Sequence, residues 1–117
     1  MAATVLIVDD HSGFRASAKR LLSSHGYDVV GEAADAAEAL TAAEALRPEV
    51  VLLDVGLPDS DGLEVARKIS ERQPETSIVL ISSRDRGDLE PLLAGAPARG
   101  FIPKGELSAA ALEDLIP

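Results

Sequence analysis

The sequence predicts an α/β fold, a doubly wound five-stranded parallel sheet with helices on both faces. Short apolar runs, each too short to be a helix, alternate with segments whose apolar residues recur at helical spacing. This alternation suits βα units, which build a parallel sheet covered by helices. The chain has 117 residues, enough for one domain with one sizeable core, and we expect 1–117 to form a single domain without a separate output domain.

The predicted strands share a continuous or nearly continuous apolar character. TVLIV, VVLLD and SIVLIS are typical of strands that are covered on both faces. The DVVGEA and GFIPK segments complete the set. The predicted strands are 4–8, 28–33, 50–54, 77–82 and 100–104.

Capping residues place helices after the strands. The predicted N-caps are Ser12, Asp35, Asp61 and Ser108. A glutamate three residues after Asp35 and after Asp61 makes each a capping box. The first three helices are predicted to end at Gly26, at Leu46 and at about Gln73. Glycine and proline interrupt the 83–100 segment, so only a short helix from about Asp88 to Ala94 is predicted there.

Composition excludes several classes of function. The net charge of −9 repels a phosphate backbone, so we expect no direct binding of nucleic acid. Without cysteine the chain can have no disulfide, thiolate metal site or cysteine nucleophile. Neither a signal peptide nor an apolar run long enough for a membrane helix is present, so we expect a cytoplasmic protein that does not associate with membranes.

Three aspartates lie at the carboxyl ends of two of the apolar strands. Asp9 and Asp10 follow the first strand, and Asp54 ends the third. Ligands of open parallel sheets bind at the carboxyl ends of the strands, and the three carboxylates converge there if the strand order is 2-1-3-4-5. Converging carboxylates repel one another, and Mg²⁺, which prefers oxygen ligands, would relieve that repulsion.

Two more strand ends add chemistry to this edge of the sheet. Ser82 ends the fourth strand with a hydroxyl group, and Lys104 supplies an ammonium group at the fifth. Carboxylates, a hydroxyl and a lysine around one metal indicate phosphoryl transfer. Asp54 is the candidate nucleophile, because a carboxylate can form an acyl phosphate. Ser83 is an alternative to Ser82, although alignment with the apolar run favours Ser82.

The whole chain resembles the receiver domains of two-component response regulators. The matching motifs are DD at 9–10, LLDVGLPDSDG at 52–62, Ser82 after an apolar strand, and GFIPK at 100–104. VDDHSGFR at 8–15 and GFIPK are particularly similar to receivers of NarL/LuxR-type regulators. The resemblance implies a flavodoxin-like sheet of order 2-1-3-4-5 and a switch that phosphorylation activates.

The resemblance also implies roles for the acidic residues. Asp54 would accept a phosphoryl group from a phosphohistidine on a sensor histidine kinase or phosphotransfer protein. Asp10, Asp54 and the backbone carbonyl of Gly56 would bind Mg²⁺ directly, and Asp9 would act through water. The domain would catalyse only its own phosphorylation and dephosphorylation.

The effect of phosphorylation would be transmitted by Lys104, Ser82 and Phe101. Lys104 would hold a phosphate oxygen, Ser82 would move toward another, and the Phe101 rotamer would follow that hydroxyl. Added charge at Asp54 would thus repack the region near Phe101 and control an output domain, such as a DNA-binding domain outside this chain, or a partner. We expect a monomer before phosphorylation and leave dimerisation on activation open.

Other residues are given structural interpretations. Asp59 and Asp61 are interpreted as turn and cap residues. Arg15, with Lys19 and Arg20, is assigned to the solvated face of the first helix. His11 and His25 lack metal-ligand spacing with another histidine and are assigned no role.

The chain departs from the receiver pattern after the lysine, where proline is common. Gly105 follows Lys104, and Pro103 precedes it, so a cis bond after the lysine is left open. Gly56 and Arg84 lie two residues after Asp54 and Ser82, where side chains influence loss of the phosphate. Gly56 would expose the phosphoryl group to water and Arg84 would shield it, so the two residues would change the lifetime of the group in opposite directions.

Three other functions compete with the receiver interpretation. A Mg²⁺-dependent phosphatase of the haloacid dehalogenase type would need a second aspartate at position 56, where this chain has Gly56. A nucleotide-binding domain would need a glycine-rich loop after the first strand, where DDHSGFR stands. A pseudo-receiver that binds partners without phosphorylation is disfavoured, because the residues of a phosphorylation site are all present. They are Asp9, Asp10, Asp54, Ser82 and Lys104.

Overall fold

Five parallel strands form one sheet in the order β2-β1-β3-β4-β5. The computed structural model describes residues 3–59, 61–83 and 95–116. The strand order and the parallel pairing confirm the predicted fold class. The strands are β1 Thr4–Val8, β2 Asp28–Ala33, β3 Val50–Asp54, β4 Ser77–Ser82 and β5 Gly100–Pro103.

The three inner strands are the most buried, because helices cover them on both faces. Every residue of β3 and of β4 is buried, and so are the last four residues of β1. Their continuous apolar sequences follow from this position, since no side chain on either face meets solvent. The edge strands β2 and β5 are partly exposed.

The fifth strand is one residue shorter than predicted. It ends at Pro103, and Lys104 begins a short 3₁₀ helix, Lys104–Glu106. Pro103 is in register with Ser82, which is the last residue of β4, so Lys104 has no strand residue beside it to pair with. No described peptide bond is cis, and the bond between Lys104 and Gly105 is therefore trans.

Four α-helices are described, and their ends follow the predicted caps with one exception. Asp35, Asp61 and Ser108 are N-caps whose side chains accept a backbone amide hydrogen bond, as predicted. Ser12 is the exception, because the helix begins at Ser12 and His11 is its N-cap, without a side-chain cap bond. The helices are α1 Ser12–Ser24, α2 Ala36–Leu46, α3 Gly62–Arg72 and α4 Ala109–Glu113.

The C-terminus of α1 shows why Gly26 ends that helix. Gly26 has a φ of 89°, a left-handed conformation that favours glycine. Its amide donates to the carbonyl of Ser23, and the amide of Tyr27 donates to that of Leu22. These two bonds form a Schellman motif, which satisfies carbonyls that the helix leaves unpaired.

The helices cover opposite faces of the sheet in pairs. The α2 and α3 helices pack over one face in a cluster that contains Val51, Leu53 and Phe101. The α1 and α4 helices pack over the other face, in a cluster that contains Val50 and Leu52. The fold is therefore doubly wound, as predicted.

Two further sequence predictions concern helices. The short helix predicted from Asp88 to Ala94 lies outside the described residues. Within the part of the chain that the structure describes, no helix is both long and apolar enough to cross a lipid bilayer.

Candidate functional site

The site lies at the carboxyl edge of the sheet, where β1 and β3 are neighbours. Asp9 directly follows β1 and Asp54 ends β3. Because strand side chains alternate between faces, both aspartates continue the face of Ile7 and Leu52, which is the face covered by α1 and α4. The sheet order thus brings the two carboxylates to one place, as the sequence predicted.

Lys104 joins these carboxylates from the end of β5. Its Nζ lies 2.5 Å from Asp9 Oδ2 and 3.4 Å from Asp54 Oδ2. The Asp9 side chain is fully buried, and those of Asp54 and Lys104 are 7% and 15% exposed. The lysine therefore compensates two carboxylates that would otherwise carry uncompensated charge inside the protein.

The environment of Lys104 favours the charged form of the lysine. Burial alone lowers the pKa of Lys104, but the hydrogen bond to Asp9 and the charges of Asp54 and Asp9 outweigh it. The net effect raises the pKa of Lys104 above its ordinary value of 10.5. Lys104 is consequently a permanent cation at neutral pH, as an anion-binding role requires.

The acidic loop after β1 completes a group of oxygen ligands. Ligand atoms from Asp9, Asp10, His11 and Asp54 all lie within 4.8 Å of one another. The three carboxylates are hard oxygen donors, which suit Mg²⁺, and Asp10 is exposed enough for the ion to keep some of its water. The chemistry of this cluster therefore fits the predicted Mg²⁺ ion.

The loop after β3 folds back on the candidate nucleophile. The amide of Gly56 donates to Asp54 Oδ1 at 3.0 Å, and that of Val55 donates to the carbonyl of Ile81 at 3.1 Å. These bonds fix Gly56 beside the Asp54 carboxylate, while leaving Gly56 exposed. The role of the Gly56 carbonyl as a metal ligand stays a prediction.

Ser82 and Phe101 occupy neighbouring strands. Ser82 is the buried last residue of β4, one position beyond Ile81, which is in register with Asp54. Phe101 is buried in β5 and is in register with Leu80, two residues before Ser82. Since Leu80 and Phe101 belong to one core cluster, alternation places Ser82 on the face of Phe101. This arrangement suits the predicted coupling of the hydroxyl to the aromatic ring.

Two residues of α1 contact the site although the sequence analysis gave neither a role there. The Phe14 ring lies beneath Lys104, with Nζ 4.9 Å from the ring centroid, a distance typical of a cation–π interaction. Arg15 was assigned to the solvated face of the helix, and this is wrong, because its side chain is only 18% exposed. It donates to the backbone carbonyl of Asp9 at 2.6 Å and pairs with Glu32 at 3.1 Å.

His11 was expected to stand close to the acidic pair, although it was assigned no role, and it contacts both aspartates. Its amide donates to Asp9 Oδ1 at 2.8 Å, and its Nδ1 lies 3.2 Å from Asp10 Oδ1. The imidazole itself is 71% exposed. The signal in the sequence was the position of His11 directly after two aspartates. Metal-ligand spacing between two histidines does not detect a single histidine of this kind.

Comparison with known proteins identifies the family. The family model of the response regulator receiver domain matches residues 5–116. The chain belongs to this family. The receiver is also 40% identical over 103 residues to the DNA-binding transcriptional activator DevR/DosR of Mycobacterium tuberculosis, covering 86% of this chain and 46% of that protein.

Another relative and a solved structure show the range of receiver-containing proteins. The receiver is 41% identical over 109 residues to a protein-glutamate methylesterase/protein-glutamine glutaminase of Alkalilimnicola ehrlichii, covering 89% of this chain and 27% of that protein. The crystal structure of a LuxR-family two-component response regulator from an Aurantimonas species superposes with a TM-score of 0.86 at 30% identity, covering 97% of this chain and 81% of that one. The receiver thus spans less than half the length of these two curated relatives.

Proposed function

We propose that this receiver is a switch activated by phosphorylation of Asp54. The phosphoryl donor would be a phosphohistidine on a sensor histidine kinase or phosphotransfer protein, and the switch would act in the cytoplasm. The observation that carries the proposal is the meeting of Asp9, Asp54 and Lys104 at the carboxyl edge of the sheet, with Lys104 within 3.4 Å of both carboxylates. Family membership supports the same function.

The proposed transfer uses a carboxylate oxygen of Asp54 as the nucleophile. This oxygen forms a bond to phosphorus as the bond from phosphorus to the histidine nitrogen breaks, and the freed imidazole takes up a proton. Lys104 would stabilise charge on the phosphoryl oxygens, a role supported by the position of its ammonium beside Asp54 Oδ2. Asp10, Asp54 and the Gly56 carbonyl would hold Mg²⁺, with Asp9 acting through water. When bound, Mg²⁺ would neutralise charge shared between the carboxylates and the phosphoryl group.

The conformational response would start at the same edge. A phosphoryl group adds nearly two negative charges, which draw the Ser82 hydroxyl and the Lys104 ammonium toward it. Ser82 lies on the face of Phe101, so movement of the hydroxyl would change the space available to the aromatic ring. The resulting repacking would control an output domain or a partner, and the names of the two curated relatives describe both a DNA-binding activator and an enzyme.

The test is the intact mass of the protein after incubation with acetyl phosphate and Mg²⁺. We expect the wild type to gain one phosphoryl group, and we expect no gain without Mg²⁺ or in Asp54→Asn. Asp61→Asn is the control, because the Asp61 carboxylate caps α3 and is not one of the proposed site residues. This variant should gain the phosphoryl group like the wild type. A wild type that binds Mg²⁺ without gaining mass would indicate a pseudo-receiver, and one that does neither would refute the proposed acidic site.

A further inference from the structure

A side chain of the loop after β3 binds the beginning of a different helix. The carboxylate of Asp59 accepts the amide of Ala36 at 2.8 Å through Oδ1 and the amide of Ala37 at 3.3 Å through Oδ2. Ala36 and Ala37 are the first two residues of α2. Asp59 was interpreted as a turn or cap residue, and it is a cap, but of the helix that precedes its own loop in the chain.

The contact satisfies amides that α2 cannot satisfy itself. The first amides of a helix have no partner within the helix. The N-cap residue Asp35 accepts the amide of Glu38 at 2.8 Å, which leaves Ala36 and Ala37 to Asp59. The positive end of the helix dipole also favours a carboxylate at this place. The hydrogen bond from Ala36, the largest influence, holds the pKa of Asp59 below its ordinary value of 3.8.

The same loop carries the backbone of the candidate site. Gly56 lies three positions before Asp59 and donates to Asp54 Oδ1. Between them, Leu57 is buried in the core cluster that also contains Ala36 and Ala39 of α2. The loop is therefore attached to the end of α2 by the exposed Asp59 carboxylate, and its buried residue Leu57 belongs to the same core cluster as the helix.

We propose that Asp59 is a positioning residue for the phosphorylation site. By attaching the loop to α2, Asp59 holds the backbone of Gly56 in the place where it can bind Mg²⁺ beside Asp54. Asp59 touches neither the ion nor the phosphoryl group and acts through the loop. This inference rests on the proposed function, because it gives Gly56 a role in metal binding.

The experiment compares Asp59→Ala with Asp35→Ala. Both variants remove a cap from the same end of α2, but only Asp59 links that end to the loop. Mg²⁺ titrations followed by the amide shifts of Gly56 and Leu57 give the dissociation constant, and urea unfolding gives the stability of each variant. We expect the dissociation constant to rise about tenfold in Asp59→Ala, the lower end of the effect of losing an outer contact of a metal site. We expect Asp35→Ala to bind Mg²⁺ like the wild type despite its loss of stability.

A second readout is independent of the metal. Backbone order parameters of Gly56 and Leu57 without Mg²⁺ should fall in Asp59→Ala and should stay at the wild-type value in Asp35→Ala. Asp59→Asn retains one carbonyl oxygen as an acceptor and should give an intermediate result.

The outcomes separate this inference from the proposed function. Equal changes in Asp59→Ala and Asp35→Ala would show a merely structural cap and would overturn the positioning role, as would unchanged Mg²⁺ binding and order in Asp59→Ala. A wild type without any response to Mg²⁺ would refute the metal site of the proposed function. The order parameters would then decide alone whether Asp59 holds the loop.

Discussion

Gly62, the first residue of α3, lies so close to the end of β3 that a methyl group should not fit. A Cβ atom at this position would lie 2.4 Å from the carbonyl oxygen of Asp54 and 2.6 Å from the Cα of Val55. Carbon atoms in contact are ordinarily about 3.5–4.0 Å from their neighbours, so Gly62→Ala requires a shift of about 1 Å. The obstructing atoms belong to the backbone of an inner strand and its loop, which cannot turn aside as a flexible side chain can.

The expected cost of Gly62→Ala follows from these contacts. Overpacking costs roughly 1–3 kcal/mol, and a clash with backbone falls at the upper end of that range. The better helix propensity of alanine returns at most about 1 kcal/mol. We therefore expect Gly62→Ala to lower the free energy of unfolding by about 2 kcal/mol, which corresponds to a fall in Tm of roughly 6–12 °C for a domain of this size.

Urea unfolding followed by far-ultraviolet circular dichroism measures this change, since the protein is rich in helix and lacks tryptophan. Gly13→Ala is the matched control, because Gly13 also lies in the first turn of a helix and has no atom within 4 Å of its Cβ position. The control should be as stable as the wild type or more stable by less than about 1 kcal/mol. If Gly62→Ala unfolds at the wild-type urea concentration while Gly13→Ala behaves as expected, the close approach of α3 to β3 is wrong.

Three further predictions concern acid stability, the core and the lysine. Asp59 has a lowered pKa in the folded state, so its stabilising effect is present above its ordinary pKa of 3.8 and is lost as the pH falls through the lowered value. The difference in unfolding free energy between the wild type and Asp59→Asn should therefore shrink from about pH 6 to about pH 3, and a constant difference would contradict the hydrogen bonds from α2. Leu112→Ala should cost about 2–5 kcal/mol in urea unfolding, because Leu112 is the fully buried residue by which α4 packs on the sheet. Leu46→Ala, at an exposed position, should cost far less, and equal losses would refute the packing of α4. A double-mutant cycle with Phe14→Leu and Lys104→Met should give a coupling of about 0.5–2 kcal/mol from the cation–π contact, and additive losses would argue against that contact.

The parts of the fold that local patterns control could be predicted from the sequence. The apolar runs predicted the bounds of the three inner strands, because a strand buried on both faces needs continuous apolar sequence. The convergence of Asp9, Asp54 and Lys104 also followed, since parallel strands bring their carboxyl ends to one edge.

Contacts between a side chain and the backbone of another element could not be predicted in this way. Asp59 stands in a turn-like segment, and local cap rules assign it to its own loop. Its hydrogen-bond partners lie instead in α2, which precedes this loop in the chain. Arg15 is spaced like an exposed helix residue, yet its long side chain reaches back to the carbonyl of Asp9. Ser12 has good cap chemistry, but the bond from the Arg15 amide to the carbonyl of His11 starts the helix one residue earlier.

The residues of the site come from strands that lie far apart along the chain. Asp9 follows β1, whereas Lys104 follows β5. A chain emerging from the ribosome therefore carries Asp9 and Asp54 well before the cation that compensates them exists. Pairing of β5 with β4 must precede neutralisation of the two carboxylates, and parallel pairing is slow to form. If Asp54 accepts a phosphoryl group as proposed, this competence should consequently appear only when β5 has joined the sheet.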